Sequence, residues 1–271
     1  MSSGEFTRPL AAAIPLPSDI VYEQPLNERV RTFLRIEHLF DLVQHLRDKD
    51  SEWDSRLCII ALLEILDLLG RSDVKTELIK ELERHSTTLS ALQRNPGVDQ
   101  ERLQSILQDI NSYVTALRDG ACQPGQVLRK DELVASIKQR SVIASGTCNF
   151  DLPAYHLWLH RPAAQRKKQM DEWQQDLAII RRSLRLALHM IRNSTTPTQE
   201  QAGKGFFQRP IEANVACQMI RVILPQESVY FPEISGGRHR FTVRFMVQAS
   251  TLDRPVQTEH DVNFELHCCI L

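Results

Sequence analysis

The sequence predicts an α+β protein: an N-terminal antiparallel helical domain followed by a smaller antiparallel β-sheet domain. Two observations carry this. From about residue 25 to 192, apolar residues recur at three- and four-residue steps, the period of a helix with one buried face. Beyond the polar stretch NSTTPTQEQAGKG (193–205) the period becomes two, the mark of strands with one buried face. The expected boundaries are a disordered extension over 1–20, a helical domain over 21–200 and a β-strand domain over 201–271.

The elements follow in order. Asn27 can cap a first helix whose Val30, Phe33, Ile36, Phe40 and Val43 form an apolar stripe, with Arg31, Arg35 and His38 on another face. RLCIIALLEILDLLG (56–70) is apolar nearly all round and is expected to be buried between neighbours, ending at Gly70. A third helix starts near Asp73 with Val74, Leu78, Leu82, Leu89 and Leu92 aligned, and Asn95-Pro96-Gly97 makes a turn. Asp99 caps a fourth, with Leu103, Ile106, Ile110, Val114 and Leu117 in line. After a loop near Gly120–Gly125 and a short helix near 130–139, the last helix shows Met170, Trp173, Leu177, Ile180, Leu184, Ala187 and Ile191 stepping 3-4-3-4-3-4. In RHRFTVRFMV (238–247), Phe241, Val243, Phe245 and Val247 alternate with Arg240, Thr242 and Arg244; CQMIRVIL (217–224) and DVNFELHC (261–268) behave similarly. One sheet with one buried face is expected, its second face carrying Arg221, Arg240, Arg244, Glu265 and His267.

Composition removes several function classes. Lys plus Arg number 33 against 34 Asp plus Glu, so the chain lacks the basic excess of a protein that coats nucleic acid or an anionic bilayer. The stretch MSSGEFTRPLAAAIPLPSD makes a poor signal peptide, and no run approaches eighteen apolar residues. Six cysteines at irregular spacing, without a C-x-x-C pair, read as reduced thiols of a cytosolic protein.

FDLPAYHLWLH (150–160) sets His156 and His160 four apart, on one helical face, with Cys148 just upstream. A metal-dependent hydrolase would use this pair, but a zincin needs a glutamate directly after the first histidine, where Leu157 stands, and a third ligand. The alternative is a core segment: Asp151 as cap, Pro153 in the first turn, and Leu157, Trp158 and Leu159 packed inward. Neither G-x-S-x-G nor a phosphate loop occurs; AGKGFF (202–207) has neither Walker nor dinucleotide spacing. No assembled active site, metal or cofactor is expected. Residues 161–192 hold eight Arg or Lys against three acids, which reads as a solvated helix face or as the surface of a nucleic-acid-binding helical protein.

Five blocks together resemble the ZapD family of bacterial cell-division proteins: YEQPLNERVRTFLRIEHLF (22–40), DVKTELIKELER (73–84), NPGVDQERL (95–103), CNFDLPAYHLWLHRP (148–162) and FPEISGGRHRFTVRFM (231–246). The resemblance spans about 21–271 and leaves out the first twenty residues. It implies a non-enzymatic cytoplasmic homodimer, recruited to the division site at mid-cell. Its partner there is FtsZ, whose short C-terminal tail it binds and whose filaments it crosslinks, stabilising the Z-ring. That tail carries acidic groups beside an apolar core, so its receptor needs cations flanking an apolar groove, a task that suits arginine. Motif by motif, the resemblance points to Arg35 (FLRIE), Arg71 (GRSDV), His156 (DLPAYH) and Arg240 (RHRF); the strand pattern adds Arg221 and Arg244. An internal salt bridge is the other reading of Arg35. Family members can carry a basic residue where LRKDEL (128–133) has Glu132; Arg129 or Lys130 could supply that charge instead.

Overall fold

The computed structural model describes residues 19–270 apart from 72, 96, 212–215 and 238, and residue 94 by its backbone alone. The expected α+β class holds: helices run to Arg192, and antiparallel strands follow from Thr198. Most of the extension expected over 1–20 lies outside the described residues. The chain divides into two compact units, one of Thr32–Leu188 and one made of the described residues up to Arg31 with those from His189 onward.

The helical unit contains most of α1 (Glu28–Arg47), then α2 (Glu52–Arg71), α3 (Val74–Ala91), α4 (Gln100–Arg118), α5 (Gln126–Lys130), α6 (Glu132–Ser141), α7 (Pro153–Leu159), α8 (Ala163–Gln175) and most of α9 (Ala178–Arg192). The anticipated caps form. Asn27 Oδ1 accepts from the Val30 amide at 2.9 Å, Asp73 from Thr76 at 3.2 Å and Asp99 from Arg102 at 3.0 Å. The stripe of α1 is buried from Val30 to Val43, and so is the whole run from Met170 to Ile191. That run is nevertheless two helices. The chain breaks at Asp176, whose carboxylate accepts from the Val127 and Leu128 amides at 2.9 and 3.3 Å and so caps α5. A second departure is α2. Eight of its residues are buried, but Trp53, Leu57 and Ile60 face solvent.

The sheet unit is a sandwich rather than one sheet. β1 (Ile20–Pro25), β4 (Met219–Leu224), β8 (Val262–Cys269) and β2 (Thr198–Ala202) form one sheet in the order β1-β4-β8-β2; β3 (Phe206–Pro210), β6 (Arg240–Val247) and β5 (Phe231–Gly236) form the other, with β7 (Val256–Gln257) also on β6. Ile220, Val222, Leu224, Phe264 and Leu266 from the first sheet meet Phe241, Val243 and Phe245 from the second in one core. Phe264 lies 4.9 Å from Phe245, ring centre to ring centre. β1 was not anticipated; it precedes α1 and pairs with β4 antiparallel, Glu23 opposite Arg221. Period-two patterning fixes which side chains share a face and says nothing of which strands are neighbours. Hence the expected single basic face is corrected. Arg221 lies on the outer face of one sheet, and Arg240 and Arg244 on the outer face of the other.

Candidate partner-binding site

The described residues place the anticipated cations in three different environments. Arg71 is exposed at the C-terminus of α2 and lines an open cavity of about 660 Å³ with Lys75 and Arg129. Lys75 Nζ donates to the Cys122 carbonyl at 2.8 Å and Arg129 to the Pro124 carbonyl at 3.2 Å. Among the described residues none of these three cations is paired with a carboxylate. The one acid in the lining, Asp73, is occupied as the α3 cap; hydrogen bonds from the Thr76 hydroxyl and then its amide hold its carboxyl below the ordinary value. Three cations against one committed acid give this cavity a net positive lining. Arg129, one of two candidates for the charge lost at Glu132, lies in this cavity. Glu132 itself opens α6, where a helix N-terminus favours an acid. Lys75, which shares this lining, was not singled out in the sequence, because nothing in its local pattern sets it apart from a solvated lysine.

Arg35 on α1 and Arg240 at the start of β6 are exposed and unpaired among the described residues, so no internal salt bridge to Arg35 is found there. Arg240 borders an open cavity of about 440 Å³ with Ser235, His239 and Thr242. Arg244 is exposed but holds Glu233 at 2.7 Å, opposite it in register. Arg221 is different: its side chain is 11% exposed and lies 2.9 Å from Glu23, which Arg192 also grips through both oxygens at 2.8 Å. Burial would raise the Glu23 pKa, but the hydrogen bonds and charge of Arg192, with the charge of Arg221, outweigh it and hold the carboxyl below its ordinary value. Arg221 is thus a structural ion-pair member, withdrawn from any partner surface.

His156 stands elsewhere again. Pro153 opens α7 as expected, but Leu152 occupies the cap position and Asp151 gives no cap bond. Trp158 and Leu159 are buried, whereas Leu157, expected to pack inward, is 64% exposed. The two imidazole ring centres lie 4.3 Å apart, and His160 Nδ1 donates to the His156 carbonyl at 2.9 Å. Among the described residues, no three His, Cys, Asp or Glu side chains are grouped to hold a metal. His160 Nε2 approaches Glu52, the first residue of α2, at 3.8 Å. Arg71 is the last residue of that helix, about 28 Å away at 1.5 Å per residue. His156 therefore does not join the Arg71 cavity.

Part of the basic run 161–192 is engaged by the chain itself, while Arg161, Lys168 and Arg182 are exposed. Arg166 is buried and donates to Ser55 Oγ at 3.1 Å, to the Leu159 carbonyl at 3.0 Å and to the Arg161 and Asp50 carbonyls. Lys167 holds Asp50 at 2.7 Å and Arg185 holds Asp41 at 2.8 Å. Burial first, then neighbouring arginines led by Arg185, lowers the Arg181 pKa.

The model of the family described as "ZapD: Cell division protein" matches residues 34–244. The chain belongs to the ZapD family. A cell division protein ZapD of Methylococcus capsulatus is 41% identical over 256 residues, 94% of this chain and all of the relative. Those of Azoarcus sp. and Coxiella burnetii are 38% and 36% identical over 252 residues, covering 93% and 92% of this chain and 100% and 97% of theirs. Each carries a cell-division name, and none is named as an enzyme. Among the described residues no helix is long and apolar enough to cross a membrane. Membership in the ZapD family makes this a cell-division factor.

Proposed function

We propose that the chain binds the acidic C-terminal tail of FtsZ and, as a homodimer, crosslinks FtsZ filaments into bundles in the cytoplasm at the division site. Family membership supports the division role; the observation that carries the tail reading is the cavity lined by Arg71, Lys75 and Arg129, whose one acid, Asp73, is committed to the α3 cap. An incoming carboxylate there displaces no internal carboxylate, and the arginine forks meet it through two parallel N–H···O bonds. Arg35 and Arg240 are further contacts of the same kind, each on its own unit. Arg244 joins them only if Glu233 yields it.

Exposed charge pairs contribute about 0–1 kcal/mol each, so one tail binds weakly. Two sites joined in a dimer raise the second tail to an effective concentration on the order of millimolar, which turns weak capture into bridging. The test is titration of a fluorescent FtsZ-tail peptide into the full chain and into Arg71→Glu and Arg129→Glu variants. Affinity should fall about tenfold or more in each variant with the melting temperature unchanged. Equal affinity in all three chains would remove the cavity from the reading.

A further inference from the structure

One side of α9 carries cations that the chain does not neutralise. Arg181 and Arg182 are the fourth and fifth residues of this helix. Arg185 follows four after the first and three after the second, so the three share a side within little more than one turn. Arg185 engages Asp41 through one nitrogen at 2.8 Å. Arg47, at the end of α1, holds Asp48 at 3.2 Å and Asp171 at 3.4 Å. Arg181 reaches the neutral amide of Gln44 at 3.4 Å, and Arg182 is exposed. Among the described residues neither Arg181 nor Arg182 has a carboxylate partner. None of the three α9 arginines lines the Arg71 cavity.

This arrangement is unfavourable for the empty fold. Arg181 is half-buried, and its charge is opposed first by that burial and then by Arg185, Arg47 and Arg182, which together lower its pKa. The start of a helix is its positive end, where an acid is favoured and a cation is not. α9 has no acid in its first turn, and Asp176, just before it, gives its carboxylate to α5. Cations held together against their own repulsion, without a structural counter-charge, mark a place shaped for an anion.

We propose that this side of α9 binds a doubly charged phosphate group, free or on a small monoester. Two guanidinium groups lack a counter-charge, and a dianion supplies both charges from one centre, with three oxygens to accept from the arginine forks. A carboxylate would leave one cation uncompensated. A nucleic-acid diester carries a single charge per phosphate and is followed by cations strung along its backbone, whereas these are gathered over one turn. The proposal goes beyond the tail reading and does not depend on it.

Calorimetric titration of the full chain tests it, in phosphate-free buffer at low salt and about pH 8, where monoesters are dianions. The probes are inorganic phosphate, methyl phosphate and dimethyl phosphate. The first two should bind, and dimethyl phosphate, a monoanion, about tenfold or more weaker. Tighter binding of methyl phosphate than of inorganic phosphate would name an ester as the source, and the reverse the free ion. Arg181→Gln and Arg182→Gln should each weaken methyl phosphate about fivefold or more, while Arg71→Glu leaves it unchanged. Without ligand, Arg182→Gln should melt at or above the wild-type temperature, because a repelling charge has gone. Dimethyl phosphate binding as well as methyl phosphate would overturn the dianion. Binding lost in Arg71→Glu and kept in both α9 variants would overturn the location, and no binding of any probe would overturn the site. An Arg182→Gln chain melting well below the wild type would make that arginine structural and overturn its role. FtsZ-tail peptide affinity, measured on the same samples, should be untouched by Arg182→Gln, which keeps this outcome separate from that of the tail site.

Discussion

Glu23 holds two guanidinium groups at once, Arg192 through both oxygens and Arg221 at 2.9 Å, on a face of the sandwich where Met219 and His267 are buried. Removing its charge strands both cations, so Glu23→Gln should cost on the order of 3 kcal/mol, read by urea unfolding at neutral pH. Because the folded carboxyl titrates below its ordinary value, its stabilisation is complete above the unfolded value and is lost as pH falls through the folded one. The wild type should therefore lose more stability than Glu23→Gln on acidification from pH 5 to 3. Arg240 has the opposite character: exposed, unpaired among the described residues and replaceable at little structural cost. Arg240→Glu should abolish FtsZ bundling in co-sedimentation while leaving the melting temperature nearly unchanged; a variant that unfolds instead would make this arginine structural. Arg221 and Arg240 read alike in the sequence, since both alternate with core residues. Only the pairing of strands into two sheets separates them, and pairing between distant segments leaves no local trace.

At the scale of elements, the legible features were those decided within one turn. Asn27, Asp73 and Asp99 cap where their side chains could reach the next amides, and the α1 stripe is buried as its period requires. Asp176 escaped because its partners, the α5 amides, are 48 and 49 residues away. Asp131 serves two elements. One oxygen accepts from Leu133 and Val134 at the start of α6, and the other accepts from the buried Trp173 indole at 3.0 Å. Asp131→Ala should cost about 2 kcal/mol in thermal or urea unfolding, cap and orphaned indole together, against a few tenths for Glu132→Ala next to it. Arg166 ties the start of α2 to the end of α7 through a hydroxyl and three carbonyls. Arg166→Met should thus destabilise far more than Lys168→Met on the same helix, and Arg166→Lys should not rescue it, because an ammonium lacks the planar fork.

For the whole molecule, fold class and family were legible in patterns and motifs that are local, while the division into units, the sandwich and the exposed α2 face depend on contacts distant in the chain. The exposed face was hidden for a specific reason. A helix apolar on every side looks fully buried whether its last face meets the same chain or another copy. The account of function reduces to exposed cations without internal partners capturing an acidic tail. Contacts of that kind are screened within about 10 Å at 0.1 M salt. The most direct measurement is co-sedimentation of the chain with FtsZ filaments, with and without the FtsZ tail, across a salt series. Pelleting should require the tail and decline steadily as salt rises; pelleting indifferent to both would contradict the account.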